Sequence, residues 1–177
     1  SVFGFFLYPE SRQHQFLLSR VSRQLQMCIR SSYKRWYKWY RWTVQQNNAQ
    51  AQFNLGQLYE SGERVTQDYK KAIKWYKLAA GNNNELALFK LGNLFEKGKG
   101  VVKSDKEALK WYRLAADQGN ETAQFNLGYM YSRGIGVGQN YRKAVNWYRL
   151  AAGQDNVLAM FNLGVLYSEG RGTRQNY

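Results

Sequence analysis

The chain has 177 residues, a formal net charge of +14, 44% hydrophobic residues and 16% aromatic residues, enough apolar material for one folded unit of single-domain size. One proline against 16 glycines argues for helices punctuated by glycine and against collagen or a disordered linker. The single cysteine, Cys28, excludes an intrachain disulfide and with it a disulfide-stapled domain. No run approaches the ~20 apolar residues of a membrane-spanning helix.

In chain order, residues 1–32 come first. The opening SVFGFFLYP is apolar but short, and it lacks the basic leader and small-residue cleavage pattern of a signal peptide. The start at Ser1, without methionine, suggests a processed form or a fragment. From Ser11 to Arg30, the apolar residues Leu17, Leu18, Val21, Leu25, Cys28 and Ile29 suggest one amphipathic helix, with Arg20, Arg23 and Arg30 on a basic side. Two readings stand: a degenerate capping helix, or a membrane-surface or targeting segment rich in Arg and Ser. Residues 1–50 hold 8 Lys/Arg and 1 acid, against 18 and 11 in residues 51–177, so the first part is much the more basic per residue.

The stretch YKRWYKWYRWTVQQNN, Tyr33–Asn48, alternates cations and aromatic rings. That mixture suits a groove for single-stranded nucleic acid, with rings to stack on bases and charges for phosphates, or a cationic helix lying on a membrane. The period of the sequence gives another explanation. AQFNLG at Ala51 returns as ALFKLG at Ala87, AQFNLG at Ala123 and AMFNLG at Ala159, each step 36 residues, and Trp-Tyr returns with the same step at Trp75, Trp111 and Trp147. Residues 51–86 and 123–158 share 21 identities in 36 without a gap, which marks internal duplication. Stepping back 36 from Trp75 reaches Trp39, so Tyr33–Asn48 reads as the second half of a worn repeat.

Each repeat carries two helical patterns. In the first, Ala51, Leu55, Leu58 and Tyr59 fall at i, i+4, i+7 and i+8 on one face, extended by Phe53 and ending near Gly62, Gly98, Gly134 and Gly170, which suit a left-handed helix terminus. The second begins near Asp68, Asp105 or Asn140, as capping or first-turn residues. It runs through Ala72, Ile73, Trp75, Tyr76, Ala79 and Ala80 and stops at Gly81 before Asn82–Asn84. Gly56, Gly92, Gly128 and Gly164 lie inside the first helix, where each costs about 1 kcal/mol relative to alanine. Four such costs predict a close crossing that leaves room for another backbone. Trp75 and Tyr76 are expected to fill the space between units, and stacked hairpins bury what one hairpin cannot.

The combined pattern, A-x-x-x-L-G-x-[LM]-[YF]-x-x-G, a loop with a second glycine, then Y-x-K-A-x-x-W-Y-x-x-A-A, resembles the Sel-one-like repeat (SLR) family, a branch of the tetratricopeptide (TPR) superfamily. The resemblance implies an all-α, right-handed superhelical α/α solenoid of helix-turn-helix repeats with period 36. It covers residues 33–177: a half-repeat 33–50, full repeats 51–86, 87–122 and 123–158, and a half-repeat 159–177. Three positions depart from the pattern: Arg64 replaces the second loop glycine (Gly100, Gly136 and Gly172), Trp36 replaces a small alanine, and Asp105 stands where tyrosine is expected. The chain ends at Tyr177 where the next second helix would begin, which reads as truncation.

Catalysis finds little support. His14 is the only histidine and lies outside the repeats, so no Ser–His or Cys–His pair has positional backing, and one Cys with one His cannot make a tetrahedral Cys/His zinc site. Gly98–Gly100 (GKG) imitates a phosphate loop but has the wrong spacing and follows a helix instead of a strand. No catalytic residue, metal, cofactor or small-molecule substrate is expected. The columns Lys34, Lys70, Lys106, Arg142 and Arg41, Lys77, Arg113, Arg149 fall seven apart on the second helices; a solvated outer face is favoured over a phosphate or lipid track.

The resemblance implies that the first helices line the concave surface, where a partner would bind. The variable positions there are Gln57, Asn93, Tyr129 and Val165, with Ser61, Lys97, Arg133 and Glu169; Asn54, Lys90, Asn126 and Asn162 lie beside them. These sets fall at i, i+3 and i+7 and share one face. The expected function is a scaffold or adaptor that binds a protein or peptide there, with Tyr129, Arg133 and Lys90 as leading contacts because aromatic and cationic groups often dominate interface energies. The alternative is electrostatic binding of RNA or an anionic membrane through the basic N-terminal half. The sequence does not name a compartment, although the cytoplasm is favoured.

Overall fold

A computed structural model describes residues 48–63 and 65–172, which belong to one compact unit, Gln46–Tyr177. The expected helix at Ser11–Arg30, the worn half-repeat up to Asn47 and the departures at Trp36 and Arg64 lie outside the described residues.

Among the described residues there are seven helices and no strands. They are α1 (Ala49–Ser61), α2 (Tyr69–Gly81), α3 (Glu85–Lys97), α4 (Asp105–Asp117), α5 (Glu121–Arg133), α6 (Tyr141–Ala152) and α7 (Val157–Ser168). Each packs on the next, in the hairpins α1–α2, α3–α4 and α5–α6 and at the junctions α2–α3, α4–α5 and α6–α7. The result is a helical repeat solenoid: each helix packs chiefly on the ones before and after it in sequence, and successive first helices also meet, as α5 meets α7.

The caps explain where the helices begin. Asn48, Asn84, Asn120 and Asn156 each sit in extended backbone and accept a hydrogen bond from the backbone N–H three residues on, satisfying one of the orphan donors of a first turn. Asp68, Ser104 and Asn140 do the same for α2, α4 and α6, so Asp105 is the first residue of its helix and Ser104 is the cap. The Lys71 backbone N–H on the Asp68 carboxylate holds that carboxyl below its ordinary pKa. At the other end, α1, α3 and α5 stop at Gly62, Gly98 and Gly134 in the left-handed conformation.

Three apolar clusters run along the solenoid. Phe53, Ile73, Tyr76, Leu91 and Leu94 belong to the first, Leu88, Tyr112, Leu127 and Met130 to the second, and Tyr131, Val145, Tyr148 and Leu166 to the third. Half-buried Trp111 packs against the first and second clusters, and Trp147 against the second and third. Trp111 and Trp147 thus fill the space between units, as the sequence predicts for the tryptophan column, whereas Tyr76, expected there too, is seated against Gly56 of its own hairpin.

The helix-interior glycines do not serve another backbone. A Cβ at Gly56 would lie 2.5 Å from Cε1 of Tyr76; at Gly92 and Gly128 it would lie 2.5 Å from Cδ1 of Tyr112 and Tyr148. The glycine is a socket for the flat face of a tyrosine on the partner helix of the same hairpin. The close approach of backbones occurs instead at the second loop glycine. Gly136 has φ +67° and a Cβ there would meet the carbonyl carbon of Asp105 at 2.6 Å, so this loop rests on the start of the preceding second helix.

Candidate functional site

Tyr76, Tyr112 and Tyr148 are buried, yet each carries a hydroxyl that needs a polar partner. The sockets aim the rings so that the hydroxyls emerge at the last turns of the first helices. The Tyr76 hydroxyl donates to Glu60 Oε2 at 2.5 Å, and Lys90 from the next first helix pairs with that carboxylate at 3.4 Å. The Tyr112 hydroxyl donates to Glu96 Oε2 at 2.5 Å, with the Asn93 amide oxygen 3.0 Å away and Asn126 also in hydrogen-bonding contact. In both units the carboxylate stands 16 residues before the tyrosine.

The third unit breaks this pattern. Sixteen residues before Tyr148 is Ser132, whose hydroxyl donates to the Tyr129 carbonyl at 2.8 Å. Asn162 Nδ2 is 3.4 Å from the Tyr148 hydroxyl. Where the glutamate side chain is missing, there is a cavity of about 270 Å³ whose lining includes Tyr129, Ser132, Arg133, Tyr148, Asn162 and Arg171. Arg133 lies over the exposed Tyr129 ring, 5.9 Å from its centroid. No carboxylate among the described residues pairs with it. Arg171 pairs with Glu169 at 3.2 Å and covers the Tyr141 ring.

Burial is the first cause of raised pKa at all three tyrosines. The Glu60 and Glu96 carboxylates push Tyr76 and Tyr112 up further, whereas hydrogen bonding with Ser132 and Asn162 and the Arg133 charge pull Tyr148 back against a further push from Tyr129.

The ten candidate positions are distributed along this row. Tyr129, Arg133, Asn162 and Val165 line the cavity beside Tyr148. Lys90 belongs to the Glu60–Tyr76 cluster, and Asn93 and Asn126 surround the Tyr112 hydroxyl. Asn54 is half-buried and accepts from Gln50 at 2.8 Å, while Gln57 and Lys97 are exposed. Sequence reasoning missed Glu60, Glu96 and Ser132, although their fixed distance from the repeated tyrosine is a readable signal.

On the second helices, Lys70, Lys77, Lys106, Arg113, Arg142 and Arg149 are exposed. Two are engaged locally: Arg113 with Asp117 and the Trp147 ring, and Arg149 with Tyr167, whose hydroxyl accepts from Nε at 2.6 Å. Among the described residues there is no group of three His, Cys, Asp or Glu that could hold a metal ion.

The Sel1 repeat family matches residues 49–84, 86–120, 122–156 and 157–177. No curated protein matches the chain. Among solved structures, it resembles c5321, a protective antigen of uropathogenic Escherichia coli displaying an SLR fold (TM-score 0.74, 40% identity, 79% of this chain and 30% of that one). It also resembles a Sel1 repeat protein of Oxalobacter formigenes (TM-score 0.71, 39% identity, 73% and 54%). The cysteine-rich protein B of Helicobacter pylori shares the fold (TM-score 0.57, 23% identity, 73% and 93%). The chain thus spans about a third and about half the length of the first two. Sel1-repeat proteins generally serve as protein-interaction scaffolds, and the family is non-enzymatic. On the match of four consecutive repeats and the hairpins they form, the chain belongs to the Sel1 repeat family.

Proposed function

We propose that this chain is a scaffold or adaptor whose protein or peptide partner docks on the face made by the first helices, α1, α3, α5 and α7. The observation that carries the reading is the convergence of Tyr129 and Arg133 of α5 with Asn162 and Val165 of α7 on one cavity. An exposed aromatic ring, a guanidinium free of carboxylate partners among the described residues and an amide are the groups that anchor interfaces, and here they come from adjacent units. The second-helix face offers no counterpart: its cations are spread singly, and Arg113 and Arg149 are held by local rings.

A photo-crosslinking amino acid at position 129, compared with one at the exposed position 106 on α4, tests the reading in an extract of the source cells. Discrete adducts are expected from position 129 and not from position 106, and they should weaken in Asn162→Ala. Equal adducts from both positions, or adducts from 106 alone, would place the partner elsewhere.

A further inference from the structure

The three hairpins are three versions of one arrangement, and the third departs from the first two at the group beside the buried tyrosine hydroxyl. In the first two, the buried tyrosine hydroxyl donates to a glutamate at 2.5 Å. In the third, Ser132 replaces that glutamate, and a cavity of about 270 Å³ opens beside Tyr148. The polar groups that would surround a carboxylate are still there. Tyr148 presents its hydroxyl, Asn162 presents an amide within 3.4 Å of that hydroxyl, and Arg133 lines the wall without a carboxylate of its own among the described residues. In the first unit the cation beside Glu60 is Lys90, whose counterpart in the third unit is Asn162, so Arg133 brings its charge to the cavity from a different repeat position.

We infer that the cavity between α5, α6 and α7 is a receptor for the carboxylate side chain of an acidic peptide, which takes the place that Glu60 and Glu96 occupy beside Tyr76 and Tyr112. The inference rests on the docking face proposed above and names the chemistry that face reads. Charge-assisted hydrogen bonds from Tyr148 and Arg133 supply the recognition. The walls of Tyr129, Val165 and Leu166 exclude water and accept the methylene stem. Glu169 stands on the rim but is paired with Arg171, so the cavity keeps the Arg133 charge uncompensated.

The fold supplies its own blocked form. Ser132→Glu restores the glutamate of the other two units and should close the cavity from within. The experiment is fluorescence anisotropy on the full chain at physiological salt with a labelled, acetylated and amidated hexaglutamate peptide, which has no terminal carboxylate, and its hexaglutamine counterpart. Saturable binding of hexaglutamate only is expected. It should weaken at least tenfold in Ser132→Glu and in Arg133→Gln, and clearly in Tyr148→Phe. Lys106→Gln, on the exposed face of α4, should leave it unchanged. Thermal melts of Ser132→Glu should be no lower than those of the parent chain, which separates a filled cavity from a damaged fold.

Equal binding by Ser132→Glu and the parent chain would overturn the inference, as would equal binding of the two peptides or a loss as large in Lys106→Gln. Such results would assign the attraction to general basic charge. If hexaglutamate fails to bind while the adducts from position 129 persist, the carboxylate inference falls and the docking face stands. If both fail, both fall.

Discussion

Gly92 and Gly164 occupy the same position in α3 and α7, yet the same substitution should move stability in opposite directions. At Gly92 an alanine methyl would sit 2.5 Å from both Cδ1 and Cε1 of Tyr112 and 3.1 Å from Cγ, whereas carbon atoms rest ~3.5–4.0 Å apart. The ring must retreat by about 1 Å, but it is fully buried and tethered to Glu96. Overpacking costs about 2 kcal/mol, and weakening a hydrogen bond to a charged group costs about 1 more. Alanine returns about 1 kcal/mol of helix propensity. The net is a destabilisation of about 2 kcal/mol for Gly92→Ala. At Gly164 nothing among the described residues lies within 4 Å of the new methyl, so Gly164→Ala should stabilise by about 1 kcal/mol. The two variants should differ by roughly 6–12 °C in melting temperature for a chain of this size. Urea titration followed by far-UV circular dichroism and tryptophan fluorescence gives the comparison. Hydrogen exchange resolved by helix assigns the change to its hairpin, because solenoids do not always unfold as one unit. Shifts of the same sign would refute the socket explanation of these glycines.

Tyr112→Phe keeps the ring and leaves the Glu96 carboxylate without its donor; a loss of about 1.5–3 kcal/mol is expected in urea titration. Tyr148→Phe has no carboxylate to strand and should lose only about 1 kcal/mol, so equal losses would contradict the difference between the units. Asn120→Ala removes the cap that accepts from Ala123 N–H and should cost about 1 kcal/mol, with faster amide exchange at the start of α5. The pH dependence follows from the tyrosines, whose pKa values are raised in the fold above the ordinary 10.0. The unfolded chain releases these protons near pH 10 while the folded chain holds them. Their contribution is therefore complete below pH 10 and is lost as pH climbs beyond it toward the folded values. Melting temperature should fall steeply above pH 10, less so in Tyr112→Phe.

The hairpins were legible because the period of 36 residues repeats both the apolar spacing and the glycines that end the first helices. The cap at Asn84 was half visible: Asn82–Asn84 reads as a turn, but its last residue also starts the next helix, a role that needs the backbone angle as well as the residue type. Gly92 was recognised as a position of close packing, and the wrong neighbour was assigned to it. A glycine in a helix announces that something approaches; whether backbone or ring depends on the crossing geometry. The candidate site divides in the same way. Tyr129, Arg133, Asn162 and Val165 stand out as variable positions on one helical face. Glu60, Glu96 and Ser132 do not, because Tyr76, Tyr112 and Tyr148 read as apolar core, and a core residue directs no attention to what its hydroxyl touches 16 residues away.

That hydroxyl links stability to recognition in this fold. A tyrosine is large enough to fill the hairpin, but it brings one polar atom that must be satisfied where the core meets the first-helix face. Two units solve this within the chain, with a glutamate that caps the hydroxyl and closes the surface. The third replaces the glutamate with Ser132, which still hydrogen-bonds the Tyr148 hydroxyl but brings no carboxylate, and places Arg133 and Asn162 on the wall of the cavity beside it. A repeat array tolerates this because each hairpin draws its stability from its own packing and its neighbours. A chain of a single core would have to absorb the loss of the Tyr–Glu bond at its one site, whereas here two hairpins that keep that bond stand beside the one that lacks it. The unit that has lost its internal carboxylate is therefore the one equipped to accept a carboxylate from outside, and Ser132→Glu is the one-residue change that should convert it back into a purely structural repeat.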